Sequence, residues 1–415
     1  MNLKREQSLL RAGKSLGVRV IIPESPEDEV PAVMTWHESG ATLELIDSPE
    51  TWPTSLDANS FTVFGWTAEG NPFSLHRVLV RRVALGDQLQ KVSSGTLCWD
   101  DHCFPDDKWT KVSFTTVNQA EWWFQGTRSH GDDWEAYRRG EREYHWTPTD
   151  KLNVKVAGGD LSFSQGFAEK TELSSVTVRP NASLTVTASR PSTMDRLHLD
   201  FGIPLLALVA FAADAPDELA AESYSRDFGD ERRRIEVWRG GRGSIQPASR
   251  RTFLFLAEDL HDPARSIKRW WSVNRKVRPA LGIFGDHLNM GTTYSPGRLL
   301  TLVTAMEAYG RVRHSNPDFK ALRKYGQVSP EITKCTNRAL DLLGATRGYL
   351  AHLETNAKRF SIQEIEDSVF DSTRRGSALM QSCLLREVGF RRADSERILS
   401  AHYSNWPLPA ATVSR

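Results

Sequence analysis

The stretch Ser295-Pro-Gly-Arg-Leu-Leu-Thr-Leu-Val-Thr-Ala-Met-Glu-Ala-Tyr309 decides the fold, because the hydrophobic period changes there from two to about 3.6. Ser295 and Pro296 form a helix start. A serine oxygen can accept a first-turn amide, and proline lacks the N–H that would go unused there. Leu299, Leu302, Val303, Met306 and Tyr309 then fall on one face. The helical period persists downstream. Ser329-Pro330 opens a second segment, with Ile332, Cys335, Ala339 and Leu342 on one stripe and Gly344 as its stop. Ser361-Ile-Gln-Glu364 is a capping-box pattern for a third, Ile362 to about Phe370. Leu379, Cys383, Leu384 and Val388 mark a fourth, and Ile398 to Tyr403 a short fifth. Amphipathic segments joined by short turns describe a helical bundle.

Upstream, the period is two. Phe61, Val63 and Gly65 alternate with Thr62 and Phe64, and the turn-like Glu69-Gly-Asn-Pro72 leads to His76, Val78 and Val80, a hairpin. Val176 and Val178, Pro180-Asn181 as a turn, then Leu184, Val186 and Ala188 repeat the pattern, and Val154 and Val156 before Gly158-Gly159 add a strand. Such short strands imply a mainly antiparallel sandwich or partly open barrel. Between the two regimes, Ile203–Ala213 reads as a buried helix closing before Asp214-Ala215-Pro216. Ile235, Val237 and Phe253–Leu256 read as strands. Asp262-Pro263 starts a helix through Ile267, Trp270, Trp271 and Arg275 that ends before Pro279, and Gly282–Thr293 reads as a linker. The expected fold class is α+β and multidomain. A β-rich, sandwich-like region spans 1–200, a mixed α/β segment packs on it over 201–284, a linker covers 285–293, and an all-α bundle fills 294–415.

The chain of 415 residues exceeds one ordinary core. Its 53 basic and 52 acidic residues exclude a global polyelectrolyte signal, although 18 Lys and Arg against 12 Asp and Glu from Gly291 onward bias the last third towards a polyanion. The first residues lack an apolar core of signal-peptide length, and the run Ile203–Ala213 is too short to span a bilayer. Four cysteines in so long a chain suggest a reducing compartment. The expectation is a cytoplasmic protein with no membrane partner.

Arg347-Gly-Tyr-Leu-Ala-His352 lies within the helical part. A guanidinium can hold a phosphate through a fork of charge-assisted hydrogen bonds, and an imidazole moves protons near neutral pH. Together they are minimal equipment for cutting RNA, which carries its own 2′-OH nucleophile. The pattern alone is not selective: His145, through Arg138 and Arg139, and His402, through Arg397, also fit a loose Arg-x(4–6)-His rule. Context separates them.

The region 290–408 resembles the HEPN superfamily, and within it the ApeA-like branch of bacterial anti-phage proteins. The resemblance rests on Leu299-Leu300 through Ala305-Met306-Glu307-Ala308-Tyr309, on ATRGYLAHLE after the second main helix, and on SALMQSCLLREVGF followed by ILSAHYSNWPL. FTVFGWTAEGNPFSLHRVLV resembles the family's N-terminal domain less specifically. The resemblance implies a metal-independent endoribonuclease of antiviral defence and abortive infection. It would need no cofactor, act on RNA such as tRNA, leave a cyclic 2′,3′-phosphate, and work as a homodimer joined through the helical bundle. Carried onto this chain, it makes Arg347 the phosphate-holding residue and His352 the general acid or base. His145 and His402 are left as ordinary. The chain departs from many active members at Gly348, where they carry Asn, Asp or His. Glu307 is the supporting candidate, able to orient Arg347 or His352, and Tyr349 reads first as a core residue, with stacking on a base as its alternative.

Five positions on one helix lie about 140° apart, so a single regular helix would not aim Arg347 and His352 at one phosphate. Either the helix starts within RGYLAH or two copies face each other. Two further constellations are set aside. Cys98-Trp-Asp-Asp-His102-Cys103 resembles half a zinc site, but no second Cys/His pair follows, and a turn between strands explains it better. Trp122, Trp123, Trp134 and Trp146 could form an aromatic platform, but such tryptophans more often fill a β core. Two function classes follow: a defence ribonuclease whose β-rich region senses a phage-derived trigger or restrains the bundle, and a catalytically silent binding protein whose tryptophan-rich region recognises a carbohydrate, phage protein or nucleic acid.

Overall fold

In a computed structural model of the chain, the described residues are 3–46, 61–82, 90–123, 128–130, 144–146, 151–172, 175–228, 231–240, 245–249, 252–291, 295–352 and 360–404. A short helix, α1 (Leu3–Arg11), precedes six strands: β1 (Leu16–Ile22), β2 (Ser25–His37), β3 (Gly40–Leu45), β4 (Phe61–Thr67), β5 (Pro72–Arg82) and β6 (Gln90–Ser94). They pair antiparallel in the order β5-β4-β1-β2-β3-β6, and β6 pairs back onto β5, closing a six-stranded barrel. Alternation drives the closure: Leu16, Val18, Val20 and Ile22 of β1 point inward with Met34, Leu43, Val63 and Phe73. The hairpin expected over 61–80 is β4–β5. Gly65 is required in it, because a Cβ there would come within 2.4 Å of the Phe73 ring and 2.9 Å of the Arg19 carbonyl.

The chain leaves the barrel along β7 (Thr96–Trp99), which pairs with β5 on one side. Then follow β8 (Lys108–Thr116), α2 (Gln119–Trp123), a separate ribbon of β9 (Arg128–His130) and β10 (Tyr144–Trp146), and β11 (Leu152–Val156), β12 (Gly159–Glu172) and β13 (Ser175–Thr193). After a helical interval come β14 (Leu219–Phe228) and β15 (Glu231–Arg239). The antiparallel order β7-β15-β14-β8-β13-β12-β11 continues the barrel into an open sheet. Pro180-Asn181 is not a turn: β13 runs through it, with Pro180 opposite Phe167 of β12. The proline is tolerated because β8 pairs with β13 only from Leu184 onward, so one side of the strand at Pro180 carries no ladder among the described residues. Phe253–Leu256 is not a strand either. The amides of Leu254 and Phe255 bond the Ala212 carbonyl, at 2.7 and 3.4 Å, closing the end of a helix.

That helix is α4 (Ile203–Ala213), continuous with α3 (Met194–Leu197) through a π-helical turn at His198–Gly202. The 20-residue stretch Met194–Ala213 is long and apolar enough to cross a membrane by length and composition. Leu205, Leu208, Val209, Phe211 and Ala212 pack into the protein core. α5 (Pro263–Asn289) starts as expected, with Asp262 accepting from the Arg265 amide at 2.9 Å, but it passes through Pro279 and ends at Asn289. The expected stop and the N-terminal half of the expected linker are therefore helix, while 292–293 lie outside the described residues. Burial of Val277, Ala280, Leu281, Phe284 and Leu288 on both sides of the proline overrides its missing hydrogen bond.

The bundle comprises α6 (Pro296–His314), α7 (Phe319–Gly326), α8 (Pro330–Thr333), α9 (Asn337–His352), α10 (Ile362–Asp367), α11 (Val369–Val388) and α12 (Arg392–Ser404). Ser295 caps α6 by accepting from the Arg298 amide at 3.2 Å, and all five residues of its expected apolar face are buried. The expected second helix is broken at Lys334, which takes a left-handed conformation, and Gly344 lies inside α9 rather than ending it. Ser361 caps α10 as expected, but α10 closes at Asp367 and α11 opens at Val369. The architecture is thus a β-rich region, with a closed barrel and further strands, followed by a helical region. Its two buried clusters cut the chain near residues 97–103. One fills the barrel and includes Trp238; the other runs without interruption from the open sheet through α5 into the bundle.

Candidate functional site

α9 carries Arg347 and His352, and the sequence around them explains where each lies. Leu340, Leu343 and Thr346 face inward, and the Thr346 hydroxyl bonds the Leu342 carbonyl at 2.8 Å and the Ser368 hydroxyl at 3.0 Å. That anchors the buried face of α9 beside α11 and leaves Arg347 half-buried on its flank. From α6, Glu307 meets Arg347: Nε lies 3.3 Å from Oε1, and Nη2 donates to Oε2 at 3.5 Å. The two side chains remain 34% and 22% exposed, so the pair adds at most about 1 kcal/mol of stability. Its consequence is orientation. The carboxylate occupies one edge of the guanidinium and leaves both Nη1 hydrogens and one on Nη2 for an anion.

His352 is the last residue of α9 and is exposed. Since α9 is one continuous helix, the option of a helix beginning within RGYLAH is excluded. His352 lies about 7.5 Å along the axis and about 140° around it from Arg347. The structure therefore brings Glu307 to Arg347 and does not bring His352 to the same face. Gly348, between them, is buried. Tyr349 is half-buried, outside the core, and donates to Glu366 of α10 at 3.0 Å, which corrects the core reading.

The competing sites separate clearly. His402 lies 2.9 Å from Asp214, tying α12 to the end of α4, a structural role. The side chain of His145 lies outside the described residues. Trp122 and Trp123 are buried, with Trp123 stacked on Phe163 at 4.7 Å, so they belong to the core. Trp134 and the Trp146 side chain lie outside the described residues.

A second cluster was only half visible in the sequence. Cys98 of β7, Cys103 in the following turn and His76 of β5 are all buried, and their donor atoms lie within 4.8 Å of one another. His102 is not among them: its Nε2 lies 3.0 Å from the Gly65 carbonyl and its ring stacks on Phe64 at 4.7 Å. The turn between strands is as expected, but the histidine that completes the group comes from the earlier hairpin. Burial pushes the Cys98 thiol up, while hydrogen bonds from Cys98 and His76 hold the Cys103 thiol below its ordinary range. Among the described residues this is the set able to hold a metal ion.

A different buried carboxylate, Glu222, serves structure. Although burial opposes its charge, His198 and Arg239 hold its pKa down at about 2. No family model, curated protein or solved structure matches the chain.

Proposed function

We propose that the chain is an endoribonuclease of the HEPN type, of the ApeA-like branch, in which Arg347 grips a phosphate of RNA and His352 moves protons to or from the 2′-OH and the leaving oxygen. The observation that carries this reading is the Glu307–Arg347 pair across α6 and α9, which presents a preset guanidinium edge five residues before an exposed histidine. Attack of the 2′-OH on phosphorus breaks the P–O5′ bond. It yields a cyclic 2′,3′-phosphate and a 5′-hydroxyl, with charge on the phosphoryl oxygens met by Arg347. Nothing in this step draws on a group outside the chain and the RNA.

The angular separation on α9 supports a two-copy site, in which Arg347 of one protomer and His352 of another serve one phosphate. The protein is then a homodimer through the helical bundle, acting in the cytoplasm on RNA such as tRNA, with the β-rich region as sensor of a phage-derived trigger. The silent-binder alternative loses part of its basis because Trp122 and Trp123 are core residues.

The experiment compares wild type, Arg347→Ala and His352→Ala in cells, with and without phage, following growth arrest and RNA integrity. Loss of RNA cleavage and of protection in both variants is expected. Equal protection by all three would sink the nuclease reading. Mixing the two inactive variants tests the shared site, since complementation restores one intact Arg347/His352 pair per mixed dimer. A strict monomer that still cuts RNA would refute the composite cleft.

A further inference from the structure

The chain has a buried constellation that the nuclease reading does not use. We propose that Cys98, Cys103 and His76 hold a Zn2+ ion that fastens the barrel to the open sheet. This stands independently of the function proposed above.

The donor geometry suits zinc. Tetrahedral bonds of about 2.3 Å to sulfur and about 2.0–2.1 Å to nitrogen set donor separations of about 3.5–3.8 Å. Here Cys103 Sγ lies 3.6 Å from His76 Nε2, and Cys98 Sγ lies 4.0 Å from both ring nitrogens. His76 Nε2 is also 2.7 Å from the Cys103 carbonyl. That contact holds the ring against both sulfurs. Cys103 is held in turn, its amide donating to Ser74 Oγ at 2.9 Å. The Cys-x(4)-Cys spacing falls within the zinc range, and two thiolates with one neutral imidazole neutralise a buried dication.

The backbone also bends to build this group. Arg77, directly after His76, has φ 54°, where β5 changes partner from β7 to β6, and Asp100, between the two cysteines, has φ 78°. Both are non-glycine residues in the left-handed region, which is sparsely used unless the surroundings enforce it. His76 also lines a small cleft with Arg77, Thr96, Met194 and Asp195. The site lies where β7 passes from the barrel core, with Leu97 and Trp99, to the sheet core, with Cys98 and Cys103.

The test uses the full chain, purified without a metal-binding tag. Elemental analysis should find about one zinc per chain, and replacement by Co2+ should give tetrahedral d–d bands with thiolate charge transfer. Cys98→Ser, Cys103→Ser and His76→Ala should each lose the metal, whereas Cys335→Ser and Cys383→Ser should retain it. Because the first three variants could misfold, the wild-type measurement decides. A folded wild type that holds no zinc, takes up no cobalt with a thiolate band, or contains a Cys98–Cys103 disulfide overturns the proposal.

Discussion

Glu307 and Arg347 pose a question of charge rather than of shape. Their pair is exposed enough to add little stability, so its removal should leave folding intact and change the chemistry. Glu307→Gln keeps the side-chain size and removes the ionic clamp on Nε. In the proposed ribonuclease, RNA cleavage should then fall by about 10- to 100-fold, as small misplacements of a catalytic group do, with an unchanged melting temperature. Arg347→Lys keeps the charge but loses the fork and should be nearly as inactive as Arg347→Ala. A cleavage assay with thermal denaturation checks both, and full activity in the lysine variant would mean that only positive charge is needed. Arg347, His352 and Glu307 were legible through the Arg-x(4–6)-His pattern and a family resemblance, whereas the helix that carries the motif was not, since the sequence puts a stop at Gly344 and α9 runs through it. The zinc donors were not legible. Two lie five positions apart, but the third is 22 residues upstream on another strand, and only the β5–β7 pairing brings it close.

At the scale of elements, the signals that held are those with a local mechanism. Ser295, Ser361 and Asp262 each accept from a first-turn amide, as their place before an apolar period implies. The signals that failed are proline and glycine, whose local costs tertiary packing outweighs. Pro279 is carried inside α5 by buried neighbours, and Pro180 lies where β13 has one ladder only. Gly344 is carried inside α9, where an added Cβ would meet nothing within 4 Å. Gly344→Ala should therefore stabilise the protein by about 0.5–1 kcal/mol, read as a shift in urea midpoint. His287 tests how α5 joins the bundle. It bonds the Arg298 carbonyl of α6 and the Ser377 hydroxyl of α11, each at 3.2 Å. Burial, reinforced by the Arg298 charge, lowers its pKa to about 4. The unfolded chain takes up a proton near pH 6.5 that the folded chain refuses, so this contribution is present above 6.5 and lost as pH falls towards 4. Between pH 7 and 5 the loss should be about 2 kcal/mol, and His287→Gln should flatten that slope in urea titrations.

At the scale of the molecule, α5 decides whether the bundle is a unit of its own. The expected linker before residue 294 would make it one, yet α5 extends to Asn289 and has two faces in use. Near its start, Trp270 donates to the Pro204 carbonyl at 2.8 Å and stacks on Phe211 at 6.1 Å, while Trp271 meets Phe163 of the sheet edge-on. Near its end, Phe284, His287 and Leu288 are buried in the core that α6 and α11 share. Phe255 packs on Phe390 at 5.1 Å, and Gln381 of α11 donates to Asp214 at 2.7 Å, so the bundle touches the sheet region directly as well. A fragment of residues 295–404 would expose the α6 and α11 surfaces that α5 covers, and apolar surface of that kind drives association or local melting. It should show reduced helicity, no sharp unfolding transition and rapid amide exchange, whereas in the whole chain the sheet and bundle should unfold in one step. Circular dichroism and hydrogen exchange on the two proteins decide the matter. A fragment that melts sharply with full helicity, and cuts RNA when wild type does, would show that the continuous core is not needed to hold the site.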